Sequence, residues 1–113
     1  MTIDHELVSE IATQLTDDIL YFGWLLQLAR IGNPARTNVQ SIEAVLDAVI
    51  QLHQTQTIVI GNAHEVDGIV PIHPWPEANQ DLRKRMKKSI AEADDRNRDF
   101  CFWIQLTRHF ATE

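Results

Sequence analysis

The sequence predicts an α+β fold, predominantly α, with a helical core, one β-hairpin and two C-terminal helices. Three observations predict it. Apolar residues recur at intervals of three and four through most of the 113-residue chain, the period of a helix with one face turned inward. A β-branched stretch at residues 57–60 and a second at 69–72 interrupt that period and read as two strands. The length leaves room for one core, so residues 1–113 are expected to form a single domain.

The first helix is expected over about 3–15, where Ile3, Leu7, Ile11 and Leu15 stand four apart. Thr16 suits the cap of a second helix over 17–31, with Asp17 and Asp18 facing the positive end of its dipole; one bent helix through both segments fits the same residues. Residues 19–31 are apolar on nearly every side, which predicts a buried helix. Gly32, Asn33 and Pro34 stop it.

Thr37 and Gln40 have capping-box spacing, with Ser41 a rival cap, and open a third helix over 39–53. Its inward residues are Val39, Ile42, Val45, Leu46, Val49 and Leu52. The run TIVIG, ending in Gly61-Asn62, then a polar turn holding Asp67-Gly68, then IVPIH, predict a hairpin over 57–73. Pro71 has no N–H to give a ladder, which places the second strand at a sheet edge. A lone hairpin is marginal in water, so it must pack on the helices. Pro74 and Pro76 bracket Trp75 and end the strand.

A fourth helix over 77–93 turns only Leu82, Met86, Ile90 and Ala93 inward. Asp94-Asp95 suits a helix start rather than a helix end, so a break is expected near 94–97. A fifth helix over 97–111 carries Phe100, Phe102, Trp103, Ile104, Leu106 and Phe110, more apolar surface than one helix face can hold.

The run SIEAVLDAVIQLHQTQTIVIGNAHEVDGIVPIHPW resembles the third helix and wing of a winged-helix domain, and the helices before it would complete a three-helix core. The resemblance covers about residues 17–75. It implies a helix followed by a β-hairpin wing, and DNA binding as an activity. The helix in the recognition position departs from that pattern: it carries Glu43 and Asp47 and no Arg or Lys.

Net charge is −6, unevenly spread. Residues 1–75 hold nine acidic side chains against Arg30 and Arg36, while half of all Lys and Arg fall in RKRMKK at 83–88. The acidic first part would repel nucleic acid at long range. The N-terminal MTIDHELVSE lacks the charge pattern of a signal peptide, and the longest apolar run is too short to span a bilayer. One cysteine, Cys101, gives no internal disulfide. A cytoplasmic location is expected, with no membrane partner.

No catalytic motif stands out, and an enzyme is not expected. His5, His53, His64, His73 and His109 are scattered singly, without the clustered ligands a structural zinc site needs; His64 and His73 flank the hairpin turn but are only two. No phosphate-cradling glycine loop or nucleophile elbow occurs, and no cofactor is expected. Cys101, between two phenylalanines, reads as a small buried residue.

Two surfaces remain. Arg83, Lys84, Arg85, Lys87 and Lys88 could contact phosphates, or form a solvated face with Asp81–Arg85 and Lys88–Glu92 pairs. The aromatic fifth helix, through Phe100, Phe102, Trp103, Leu106 and Phe110, with Trp75, could be monomer core or meet a partner, most simply a second copy in a homodimer. The expected function is that of a non-enzymatic interaction or regulatory protein, self-associating. A winged-helix-like DNA-binding transcriptional regulator is the alternative, and a small-ligand pocket near Trp24 and Trp103 is a third.

Overall fold

The structure, a computed structural model, describes residues 4–55, 57–63 and 72–107. Its elements in chain order are α1 (His5–Leu15), β1 (Leu20–Tyr21), α2 (Phe22–Gly32), α3 (Asn38–Gln54), β2 (Ile58–Ala63), β3 (Ile72–Pro74), α4 (Asn79–Glu92), a 3-10 turn (Arg98–Phe100) and β4 (Trp103–Leu106). This is an α+β fold, predominantly α. Among the described residues, no helix is long and apolar enough to cross a membrane.

Asp4 caps α1 through its carboxylate, which accepts the Leu7 N–H at 3.1 Å, and Leu7, Ile11 and Leu15 point inward. Ile3 lies outside the described residues. Thr16 closes α1 rather than capping α2. The expected helix start at 17 is corrected by five residues, because Leu20 and Tyr21 pair with Ile104 and Trp103 as strand β1. The Phe22 N–H also donates to the Phe102 carbonyl, at 3.1 Å. A two-residue strand carries no period of its own, so nothing in LY announces it.

The capping box on α3 forms as the spacing predicts: Gln40 N–H donates to Thr37 Oγ1, and the Thr37 N–H donates to Gln40 Oε1. Val45, Leu46, Val49 and Leu52 are buried and Ile42 is half-buried, whereas Val39 points to solvent from the first turn. Helices α1, α2 and α3 touch one another, and the β2–β3 ribbon follows α3.

Among the described residues, four strands form one antiparallel sheet in the order β1-β4-β2-β3. β3 lies at its edge, where proline is tolerated; the turn with Asp67-Gly68, and Pro71, lie outside the described residues. Gly61, expected at the end of the first strand, has Asn62 and Ala63 after it in β2. It sits inside β2 opposite Pro74, with the His73 backbone so close that a Cβ would collide with the carbonyl, the close approach that a glycine within a strand marks.

The fifth helix is corrected. Residues 98–100 make one 3-10 turn, and Trp103–Leu106 form β4 in the middle of the sheet, between β1 and β2. Phe102, Ile104 and Leu106 are buried and Trp103 and Gln105 are half-buried. That alternation is the two-residue period of a strand, and it accounts for the apolar residues that no single helix face could hold. With Leu20, Ile58 and Ile60, the inward residues of β4 join the helices in one hydrophobic cluster.

Helix α4 buries Leu82, Met86 and Ile90, and Ala93 is its half-buried C-cap. Asp94 caps the turn at the break near 94–97, its Oδ1 accepting the Asn97 N–H at 2.9 Å.

Candidate interaction face

The basic run on α4 is largely engaged within the fold. Arg83 reaches across to α3 and bridges Glu43 and Asp47, and Lys87 also pairs with Glu43, at 3.0 Å. Lys87, first, and then the Arg83 charge hold the Glu43 carboxyl below its ordinary range, against the opposing effect of burial. Arg85 lies over the Trp75 ring, its Cζ 4.6 Å from the centroid, and donates to Glu77 at 2.6 Å rather than pairing with Asp81. Lys84 and Lys88 are exposed, with no ion pair among the described residues.

A second bridge ties the helical triad. Arg36 pairs with Asp4 at 2.5 Å and donates to the Ala29 carbonyl at 3.0 Å, joining the start of α1 to the end of α2. That hydrogen bond to Arg36, then the one from the Leu7 N–H, lowers the Asp4 carboxyl from its ordinary value.

The apolar residues singled out from the sequence as an interface separate into two groups. Phe102, Leu106 and Trp75 belong to the core of the chain itself: the Phe102 ring centroid is 5.2 Å from Phe22 and 6.2 Å from Trp75. Phe100 is 51 % exposed and Trp103 half-buried, while Phe110 lies outside the described residues.

Phe100 and Trp103 are joined by a residue that sequence reasoning missed, Tyr21. Its ring is 4.8 Å from Phe100 and 5.4 Å from Trp103, and Phe100 stacks on Trp103 at 5.8 Å. The pairing Tyr21↔Trp103 in the β1–β4 ladder puts both side chains on the face turned away from the buried Leu20 and Ile104, as strand alternation requires. Phe100 reaches them because Gly23, in the first turn of α2, has no Cβ: one there would fall 2.6 Å from the Asp99 side chain. No sequence signal marks Tyr21, since only the pairing of β1 with a strand more than 80 residues later brings it to Trp103.

Beside Tyr21 the surface falls into a shallow depression of about 430 Å³, lined by Gln14, Asp17, Asp18, Ile19, Leu20, Tyr21 and Trp24. The Trp24 indole N–H is fixed to Gln14 Oε1, and Asp18 accepts the N–H of Ile19 at 2.8 Å. Asp17 and Asp18 therefore sit on a turn at the rim of this depression rather than in the first turn of a helix. Asp17, Asp18 and Asp99 form no ion pair among the described residues.

Burial pushes the Cys101 thiol up to about 11, which keeps it neutral and unreactive at ordinary pH. Among the described residues, no three His, Cys, Asp or Glu side chains gather where they could hold a metal ion; His64 and His109 lie outside them. No protein-family model, curated protein or solved structure matches the chain.

Proposed function

We propose that this is a non-enzymatic interaction protein of the cytoplasm, and that the aromatic triad Tyr21–Phe100–Trp103 is the surface on which it receives another polypeptide. The single observation that carries the reading is the triad on the side of the sheet opposite the core, with Phe100 half exposed and the centroids within 5.8 Å of one another. Aromatic side chains give a large, rigid contact area at low entropic cost and are enriched where proteins meet. Self-association is the homotypic form of the same reading.

Phe100 is the residue for the test because its exposure lets it change without opening the core. Wild type and Phe100→Glu would be immobilised and presented with native lysate and with the free protein itself. The reading requires a polypeptide retained by wild type and lost from the variant. Identical retention by both would sink it.

A winged-helix-like DNA-binding transcriptional regulator is the second reading. It rests on three mutually packed helices followed by an antiparallel ribbon. Against it stand the acidic α3 and the engagement of Arg83 and Lys87 by α3 itself. Salt-sensitive binding to duplex DNA in a low-salt gel shift, lost on replacing Lys84 and Lys88 by Gln, would favour it.

A further inference from the structure

We infer that the polypeptide received on this face is an extended basic segment, whose Arg or Lys side chains enter the depression beside Tyr21. The inference rests on the reading of the triad as a docking surface and adds the chemistry of its occupant. The depression is lined by two aromatic residues, Tyr21 and Trp24, and two carboxylates, Asp17 and Asp18, with no basic side chain among the described residues.

Two carboxylates, Asp17 and Asp18, without ion-pair partners among the described residues and beside the rings of Tyr21 and Trp24, suit a cation twice over: by Coulomb attraction and through the negative ring faces. The chemistry selects against two other occupants. An acidic or nucleic-acid backbone would meet uncompensated like charge. In a two-fold contact between copies this patch meets the same patch, which sets Asp17 and Asp18 against a surface that offers carboxylates and, among the described residues, no basic side chain. A basic segment meets neither obstacle, and its apolar stems can lie along the rings of Phe100 and Trp103.

The test is fluorescence anisotropy with a labelled twelve-residue peptide of repeating Gly-Ser-Arg, and matched peptides carrying Gln or Glu in place of Arg. Four proteins are compared: wild type, Asp17→Asn/Asp18→Asn, Phe100→Ala, and Glu6→Gln/Glu10→Gln. The last pair removes the same net charge from exposed positions of α1 outside the depression. Circular dichroism confirms that each variant is folded.

The expected result is saturable binding of the Arg peptide only. Asp17→Asn/Asp18→Asn should weaken it about tenfold, Phe100→Ala should weaken it as well, and Glu6→Gln/Glu10→Gln should change it less than about twofold. Equal loss in the two charge variants would mean attraction to net charge alone and overturns the inference. Equal binding of all three peptides with dependence on Phe100 retained overturns the basic occupant and leaves the docking face standing. No binding by wild type, alongside retention of a lysate polypeptide that depends on Phe100, likewise overturns the basic occupant alone; no dependence on Phe100 in either assay ends both.

Discussion

Arg85 lies over the indole of Trp75, with its guanidinium carbon 4.6 Å from the ring centroid. The contact sets a cation from α4 against the outer side of a core residue, and Glu77 holds the same guanidinium. The basic hexapeptide is thus two kinds of residue in one run. Arg83, Arg85 and Lys87 fasten α4 to its surroundings, while Lys84 and Lys88 face solvent.

The two kinds should separate in urea unfolding. Arg83 is only 16 % exposed and bridges two carboxylates. Its replacement by Gln should cost about 1–2 kcal/mol, between the cost of an exposed pair and that of breaking a buried one. Lys84→Gln/Lys88→Gln should stay within about 0.5 kcal/mol of wild type. Equal losses in the two would mean that the α3–α4 bridge contributes nothing particular.

Acid should loosen the fold through Asp4 and Glu43. Both carboxyls are held below their ordinary values of 3.8 and 4.5 in the folded chain, so the unfolded chain takes up protons first as pH falls. Their stabilisation is therefore complete above about pH 5 and is lost as pH drops through 4.5 and 3.8 toward the lower folded values. Urea midpoints measured from pH 7 to pH 3 should decline less steeply in Asp4→Asn/Glu43→Gln than in wild type; Asn keeps the cap on α1. An unchanged slope would count against these two carboxyls as the acid-sensitive groups.

Ser41 is fully buried on α3, and its hydroxyl has no hydrogen-bond partner among the described residues. Ser41→Ala removes that unmet polar group and improves helix propensity. The variant should be more stable by about 0.5–1.5 kcal/mol, read as a rise in thermal midpoint. A lower midpoint would mean that the hydroxyl is needed where it is.

The 3-10 turn that ends at Phe100, just ahead of β4, makes a sharp distinction between two phenylalanines two residues apart: Phe100 is half exposed and Phe102 fully buried. Phe102→Ala should cost about 3–5 kcal/mol, the range for emptying a buried aromatic site. Phe100→Ala should cost about 1 kcal/mol or less, because its ring is half exposed and loses only its contacts with Tyr21 and Trp103. Were the segment a helix with Phe100 inward, the order of the two losses would reverse, so chemical denaturation of the pair tells a turn leading into a strand from a helix.

Much of this fold was legible in the residues. The α+β class, the inward stripes of α1 and α4, the capping box of Thr37 and Gln40, and an edge position for β3 follow from local rules. In each case neighbours within one or two turns, or one missing N–H, decide the conformation. The candidate face was half legible: Phe100 and Trp103 were visible as surplus aromatics, while Phe102, Leu106 and Trp75 could not be told from them.

What the tertiary structure alone decided is long-range pairing. FCFWIQL has apolar residues at both helical and strand spacing, and only the open position between β1 and β2 selects the strand. The same pairing turns LY into β1, sends Phe102 inward, and sets Tyr21 against Trp103. A basic run likewise has no intrinsic role until the carboxylates of another helix arrive beside it. Sequence determined the elements whose stability is local; the face proposed for binding exists only because residues more than 80 positions apart share one sheet.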